Sequence, residues 1–232
     1  MIIYPLIMIA DNIKSVRQRI ARSCEKVGRS PGDITLVCVT KEAGVPQIED
    51  ALAAGAKDLG ENRVQELAAK HKAIGNRAAW HLVGHLQTNK VKDAVRIAAL
   101  IHSVDSIRLA EAINKEAGRI SKVQDILIQV NTSGEKTKFG LAPADVADFI
   151  IKVSTIYNNI SIKGLMTIAP EVADPEIVRP YFRKLRELSD EINASRFTLH
   201  ASRILSMGMT NDFEIATEEG STMVRVGRAI FG

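Results

Sequence analysis

Eight short apolar runs recur along the chain beyond residue 30, and amphipathic stretches of helical periodicity separate them. The predicted strands are Ile34–Val39, Lys57–Gly60, Trp80–Gly84, Leu100–Val104, Asp125–Val130, Ser161–Ile168, Ile204–Gly208 and Thr222–Val226. Buried strands that alternate with helices form parallel sheets, so eight such units predict a single (β/α)8 barrel of the TIM type. A doubly wound open sheet, also of the α/β class, is the alternative.

Helix signals between these strands support the same fold. The predicted helices are Pro46–Ala54, Arg63–Ala73, Asn89–Ala98, Ser106–Ala117, Pro143–Val153, Pro175–Asn193 and Asp212–Glu219. Pro143 and Pro175 stand where the first turn of a helix tolerates proline. Gly55 and Gly118 stand where helix ends favour glycine.

The first ten residues, MIIYPLIMIA, are apolar and carry no basic segment of a signal peptide. We interpret residues 1–10 as a poorly specified N-terminal extension and Met8 as a possible start. Asp11 is expected to cap a helix that runs to about Val27 and precedes the barrel. No Pro- or Ser-rich linker divides the rest, so residues 11–232 are predicted to be one barrel domain.

Composition excludes several classes of protein. The net charge is only +4, and the Lys and Arg residues are scattered rather than gathered on one face, which argues against nucleic-acid binding. No apolar stretch approaches the length that spans a bilayer. Two cysteines are too few for a disulfide framework. We therefore expect a cytoplasmic protein with neither a membrane nor a nucleic-acid partner.

In a barrel of this type the chemistry lies at the carboxyl ends of the strands. The first strand ends in Lys41, which is a candidate for Schiff-base formation because a partly desolvated lysine has a lowered pKa. The alternative is a lysine that extends into solvent at a strand end. Asn62 follows the second strand and either hydrogen-bonds a ligand or caps the next helix.

The third strand and the loop after the fifth carry further polar residues. His81 and His85 could suggest a metal, but no third ligand stands at a matching spacing, so we predict no metal site and a hydrogen-bonded histidine beneath the site. The loop 132–140 contains two glycines and two lysines. It either attracts an anion at the barrel mouth or is an ordinary exposed loop.

The last two strands point to a phosphorylated ligand. The loops after strands 7 and 8 often bind phosphate in such barrels. Ser206 supplies a hydroxyl there, and Gly227 allows backbone N–H groups to approach an anion. Arg225 lies in an apolar run and therefore needs a partner. An aldehyde on Lys41, a ring nitrogen at Arg225 and a phosphate at Ser206 and Gly227 together predict pyridoxal 5′-phosphate as the cofactor.

Six segments carry a resemblance to a known family over residues 10–232. They are VTK at 39–41, GEN at 60–62, WHLVGHLQTNK at 80–90, GLM at 164–166, LSMGMTND at 205–212 and STMVRVGRAIFG at 221–232. They closely resemble the pyridoxal phosphate homeostasis protein (YggS/PROSC) family, whose fold is that of the alanine racemase N-terminal domain.

The resemblance implies roles for particular residues. It implies that Lys41 forms the internal aldimine, that Arg225 faces the pyridine nitrogen and that Asn62 lies near the cofactor. Ser206, Gly227 and Arg228 match the phosphate-binding positions. Three positions depart from the family pattern: Glu42-Ala43-Gly44 follows the lysine in place of a Thr-Lys-Pro-like sequence, Arg228 replaces a common Thr or Ser, and His85 stands where many relatives carry proline.

Two functions remain open at this stage. The resemblance implies a non-enzymatic protein that stores or delivers the cofactor and so affects amino-acid and keto-acid metabolism indirectly, with apo-enzymes that use the cofactor as possible partners. The alternative is a racemase-like enzyme. A racemase needs a second base, and Tyr4, Tyr157 and Tyr181 do not stand at a strand's carboxyl end. The chain ends five residues after Gly227, which leaves no room for the racemase β-domain, so we expect a monomer.

Overall fold

Eight parallel strands close into a barrel in which each strand pairs with the next and the eighth pairs with the first. The computed structural model describes residues 4–194 and 204–232. The strands are β1 (Thr35–Val39), β2 (Asp58–Glu61), β3 (Ala79–Leu82), β4 (Leu100–Val104), β5 (Gln124–Gln129), β6 (Ile160–Met166), β7 (Ile204–Ser206) and β8 (Met223–Val226). The predicted (β/α)8 barrel is confirmed, and the open sheet is excluded.

Helices surround this barrel. They are α1 (Tyr4–Lys26), α2 (Val45–Ala53), α3 (Val64–Ile74), α4 (Val91–Ile97), α5 (Ile107–Arg119), α6 (Val146–Ile156), α7 (Arg179–Ala194), α8 (Phe213–Glu218) and α9 (Arg228–Phe231). Pro143 and Pro175 each open a short 3-10 turn that leads into α6 or α7. Within the described residues no helix is long and apolar enough to cross a membrane.

The helix before the barrel begins earlier than predicted, at Tyr4 rather than at Asp11. Its apolar stripe explains the difference, because the stripe starts inside the segment that we interpreted as an extension. Ile9, Ile13, Val16 and Ile20 recur every three or four residues and are all buried. The division of the chain at residue 10 remains a prediction.

Two other local predictions differ from the structure. Gly118 does not end its helix, because α5 continues to Arg119 and the left-handed turn falls on Ser121. Asn159 fills the space beside Gly118, where an added Cβ would lie 2.8 Å from the Asn159 side chain. The last helix, α9, was not predicted, since four residues are too few to show a periodicity. The glycine at the end of α2, Gly55, has the expected positive φ of 82°.

The core has two layers. Outward-facing strand residues pack against the helices in one large apolar cluster, whereas Val37, Leu100, Leu127, Met166 and Met223 form a small cluster inside the barrel. The rest of the barrel interior includes polar side chains, which lead upward to the carboxyl ends of the strands.

Candidate functional site

Lys41 stands just beyond the carboxyl end of β1, in a turn whose next residue, Glu42, has a positive φ of 68°. Its side chain is 56% exposed, and its Nζ lies 3.3 Å from Glu42 Oε1. An exposed surface ion pair of this kind is weak. The amine is therefore accessible at the barrel mouth, where the sequence predicted it.

Asn62 follows β2 at the same end of the barrel and is half-buried. The N-cap of α3 is Arg63, without a side-chain cap bond, so the alternative in which Asn62 caps this helix is wrong. The loop after β3 packs closely against the Asn62 backbone, since a Cβ at Gly84 would lie 2.2 Å from the Asn62 carbonyl oxygen. The predicted ligand contact of Asn62 remains a prediction.

Ser206 and Arg225 meet inside the barrel, one layer below the mouth. The Arg225 guanidinium donates from Nη1 to Ser206 Oγ at 2.6 Å and from Nη2 to the Thr167 carbonyl at 2.9 Å. Arg225 thus has the partners that a buried charge needs. Burial lowers the pKa of Arg225 to about 10, although nearby Asp212 raises it. The guanidinium remains charged at neutral pH.

A chain of hydrogen bonds continues from Ser206 through the barrel interior. Ser206 Oγ lies 3.0 Å from His102 Nδ1, His102 Nε2 lies 3.0 Å from His81 Nδ1, and His81 Nε2 lies 3.1 Å from Asp58 Oδ1. An arginine can only donate and a carboxylate can only accept. The four bonds of this chain can therefore all donate in one direction, from Arg225 toward Asp58.

This chain accounts for the histidine that the sequence analysis placed beneath the site. Burial lowers the pKa of His102 well below its usual value, with His81 and Arg225 acting in the same direction. In residues 4–194 and 204–232, no group of three or more His, Cys, Asp or Glu side chains could hold a metal ion. His81 is hydrogen-bonded to His102 and Asp58.

Gly227 brings the loop after β8 against the end of β1. A Cβ at this position would lie 3.0 Å from the Val39 carbonyl oxygen, so a larger residue would separate the two strand ends. The helix α9 starts at Arg228, and its Ile230 and Phe231 N–H groups donate to the Gly227 carbonyl at 2.8 and 3.0 Å. The N–H groups of Arg228 and Ala229 precede these and have no carbonyl of the helix to bond. These N–H groups lie close to Lys41 in the fold, because β8 pairs directly with β1 and β1 leads into Lys41.

Arg228 and the loop after β7 line a cleft of about 260 Å³ at the same end of the barrel. Met209, Asn211 and Asp212 contribute to it from that loop. The Arg228 guanidinium lies 3.3 Å from Glu171 Oε1 in an exposed ion pair. Its side chain is thus at the rim, and its backbone faces the β1 end.

The loop 132–140 is tied to its neighbours at the mouth. The Phe139 ring stacks on the His85 imidazole with 3.9 Å between the ring centres. Burial raises the pKa of Asp105. Lys138 pairs with Glu135 at 3.0 Å. The two alternatives for this loop, anion attraction and simple exposure, stay open.

Sequence reasoning missed several members of this site. His102, Thr167 and Asp58 belong to the buried hydrogen-bond network, and Phe139 anchors the loop by stacking on His85. The one available signal was His102, a polar residue in the apolar run LIHSV of β4. The others are ordinary in sequence, and only the closure of the barrel brings them together.

The comparisons with known proteins decide the family. The model of the family described as alanine racemase, N-terminal domain, matches residues 8–232. A protein of Aquifex aeolicus named pyridoxal phosphate homeostasis protein is 43% identical over 223 residues, 96% of each chain. The chain belongs to the pyridoxal phosphate homeostasis protein family. The resemblance stated from the six sequence segments is confirmed.

Solved structures agree with this family. PipY of Synechococcus elongatus, solved with pyridoxal phosphate bound, is 33% identical and has a TM-score of 0.84, with 97% of this chain and 100% of PipY covered. An alanine racemase of Clostridium difficile is 17% identical, with a TM-score of 0.74 and 96% and 56% of the two chains covered. The racemase comparison shows the fold alone.

Proposed function

We propose that this protein binds pyridoxal 5′-phosphate at the barrel mouth and serves its homeostasis as a carrier rather than as an enzyme. One observation carries the proposal. Arg225 lies on β8, the Gly227–Arg228 backbone directly follows that strand, and Lys41 follows β1, which is paired with β8. A lysine, an arginine and free N–H groups are the donor set that an aldehyde, a ring nitrogen and a phosphate require.

The residues present fit this cofactor. Gly227 packs closely on the end of β1, where a Cβ would lie 3.0 Å from the Val39 carbonyl oxygen, and the N–H groups of Arg228 and Ala229 follow directly. Pyridoxal phosphate would supply an aldehyde that can react with a neutral lysine amine, together with a dianionic phosphate. Lys41 would offer the amine, and the Gly227–Arg228 backbone would hold the phosphate. Arg225 would donate to the pyridine nitrogen, which would then carry no proton of its own, because an arginine cannot accept a hydrogen bond.

In this proposal Ser206 acts indirectly, by holding the Arg225 guanidinium in place. Its hydroxyl, which the sequence predicted as a phosphate ligand, is fully buried and accepts from the guanidinium. Asn62 completes the predicted set from the loop after β2. Named relatives support the ligand: the Aquifex protein carries pyridoxal phosphate homeostasis in its name, and PipY was solved with the compound bound.

The positions of the tyrosines favour a carrier over a racemase. Of the two tyrosines whose side chains the structure describes, Tyr157 follows the end of α6 and Tyr181 lies within α7. Neither stands at the carboxyl end of a strand, where a second base would reach a substrate. Delivery to apo-enzymes that use the cofactor, a cytoplasmic location and a monomeric state are part of the same proposal.

The test is trapping of the lysine adduct. Purified protein saturated with pyridoxal phosphate is reduced with borohydride, digested and mapped. We expect the pyridoxyl group on Lys41 and its disappearance in Lys41→Ala. Lys138→Ala, which removes another lysine at the mouth, is the matched control and should keep the adduct on Lys41. An adduct on Lys90 or Lys138 in the unmodified protein would overturn the assignment.

A further inference from the structure

A buried cluster outside the cofactor site fixes the residue that precedes Lys41. Thr40 is fully buried, and all its polar groups are bonded. Its N–H donates to the Gly60 carbonyl at 2.9 Å, and its hydroxyl donates to Glu61 Oε1 at 2.5 Å. Its carbonyl accepts from Lys70 Nζ at 2.6 Å and from the Ala43 N–H at 2.9 Å.

Glu61 and Lys70 form a buried ion pair around this residue. Glu61 ends β2 with a side chain that is 0% exposed, and Lys70, on α3, is 13% exposed. One carboxylate oxygen, Oε1, accepts from both Lys70 and Thr40. The other, Oε2, is buried and has no hydrogen-bond partner among the described residues. Lys70 therefore bridges the carboxylate and the Thr40 carbonyl.

Stability alone does not explain this arrangement. A buried ion pair is often no more stabilising than apolar residues of the same volume, because both ions lose their hydration. Here one carboxylate oxygen is also left without a partner, which adds to the cost. What the pair does achieve is geometric: it holds both the hydroxyl and the carbonyl of the residue next to Lys41.

Lys41 has few restraints of its own. Its side chain contacts only an exposed glutamate among the contacts described, and the turn that it opens contains a residue with positive φ. The backbone of Lys41 is thus anchored at its N-terminal side by Thr40, whose N–H and carbonyl are both hydrogen-bonded. Reaction between two groups depends steeply on their placement.

We infer that Glu61 and Lys70 are positioning residues for Lys41, acting through Thr40, so that the amine meets the aldehyde of pyridoxal phosphate. The inference rests on the proposed function and adds to it. The cluster lies between β2 and α3 and touches no part of the predicted phosphate site. It therefore acts on the covalent step and leaves the recognition of the phosphate and ring unchanged.

The test compares pyridoxal 5′-phosphate with pyridoxine 5′-phosphate, which has an alcohol in place of the aldehyde. The variants are Thr40→Val, which removes the hydroxyl at constant shape, and the neutral pair Glu61→Gln with Lys70→Gln. We expect each variant to weaken the binding of pyridoxal phosphate by about tenfold or more. A displacement of reacting groups by about 1 Å can lower the efficiency of their reaction by up to roughly 100-fold. Pyridoxine phosphate should bind within about twofold of the unmodified protein.

Two controls separate positioning from general damage. Thr40→Ser keeps the hydroxyl and should bind pyridoxal phosphate as tightly as the unmodified protein does. Glu66→Gln removes a carboxylate that lies 3.9 Å from the same Lys70, and it should leave both ligands unchanged. The melting temperature of every variant is measured, since a purely structural role would lower it and weaken both ligands together.

The outcomes are distinct. Equal weakening of the two ligands, or no weakening in Thr40→Val and in the neutral pair, overturns the inference. If the unmodified protein binds pyridoxine phosphate but gives no borohydride adduct on Lys41, the proposed role of Lys41 fails, and this inference falls with it. Selective loss of the aldehyde ligand, rescued by serine, supports it.

Discussion

At the scale of single residues, Arg225 and His102 show how a barrel interior holds polar groups. A buried guanidinium is tolerated because Ser206 and the Thr167 carbonyl accept from it. Burial keeps the imidazole of His102 neutral, and the charges of His81 and Arg225 act in the same direction. Burial lowers the pKa of both Arg225 and His102, and for His102 this allows a direct test.

His102 should make stability depend on pH. Its pKa is lowered in the folded protein, whereas the unfolded chain takes up a proton near pH 6.5. Below that pH the unfolded state binds more protons, so stability falls as the pH falls. In His102→Gln the free energy of unfolding between pH 6 and pH 5 should decline less steeply, by up to about 1.4 kcal/mol per pH unit. Urea unfolding measures this, and identical slopes would contradict the neutral imidazole.

Ser206→Ala separates two roles of one hydroxyl. Because the hydroxyl accepts from Arg225, its loss should cost about 1.5–3 kcal/mol of stability and weaken pyridoxal phosphate and unphosphorylated pyridoxal by similar factors. Calorimetric titration with both ligands measures this. A loss confined to the phosphorylated ligand would instead support the direct phosphate contact predicted from the sequence.

At the scale of elements, the junction between β8 and α9 depends on one glycine. A side chain at Gly227 meets the Val39 carbonyl, so it both blocks the N–H groups and separates β8 from β1. The helix α9 is held from behind by α1, where the Asn12 side chain donates to the Ile230 carbonyl at 3.0 Å. The proposed anion site therefore also depends on α1, which carries none of the proposed ligand contacts.

Gly227→Val should weaken pyridoxal phosphate by about tenfold or more relative to unphosphorylated pyridoxal, because charge-assisted hydrogen bonds of about 1.5–3 kcal/mol are lost. Gly227→Ala, with a single Cβ at 3.0 Å from Val39, should show a smaller effect of the same kind. Fluorescence titration of both ligands gives the ratio. Equal losses of affinity for the two ligands would mean that the phosphate does not bind at the Gly227–Arg228 backbone.

The helix α1 should be required for stability. Ile13 is 2% exposed in the stripe that faces the barrel, so Ile13→Ala should lower the free energy of unfolding by about 2–5 kcal/mol. Met8→Ala, at a position that is 61% exposed on the same helix, is the control and should change it by less than about 0.5 kcal/mol. Denaturant unfolding compares them. A small effect at Ile13 would mean that the barrel does not need this helix.

At the scale of the whole molecule, closure of the barrel connects groups that are far apart in the chain. The hydrogen bonds from Arg225 to Asp58 cross the interior from β8 to β2, by way of β7, β4 and β3. The cofactor site that we propose sits above this chain. Such a site can hold an aldehyde on a lysine, and neither of the tyrosines with a described side chain, Tyr157 and Tyr181, stands at a strand's carboxyl end to act as the second base of amino-acid turnover.

Turnover of amino acids should accordingly be close to background. One missing general base costs about 10²–10⁴-fold, and an unprotonated pyridine nitrogen weakens the ring as an electron sink. A chiral assay of cofactor-saturated protein on a panel of amino acids tests this, with Lys41→Ala as the blank. A rate of about one per second or faster, lost in that variant, would restore the racemase alternative.

The barrel architecture could be predicted from the sequence, because the alternation of apolar strands with amphipathic helices is a local pattern along the chain. All eight strands lie within a few residues of their predicted bounds, and Lys41 stands at the mouth as expected. Helix ends were less certain. Gly118 looked like a terminator, yet its neighbour in space, Asn159, is 41 positions away, and no local pattern reveals such a contact.

Tertiary structure alone decided which polar groups meet. The sequence predicts that the Ser206 hydroxyl is available to a ligand at a strand end. In the structure this hydroxyl accepts a hydrogen bond from Arg225, 19 positions later in the chain. Thr40 and Glu61 look unremarkable until β1 and β2 pair and α3 brings Lys70 over them. The reason is physical: a strand's pattern fixes which residues face inward, whereas hydrogen bonds across a barrel depend on the register of every strand between them.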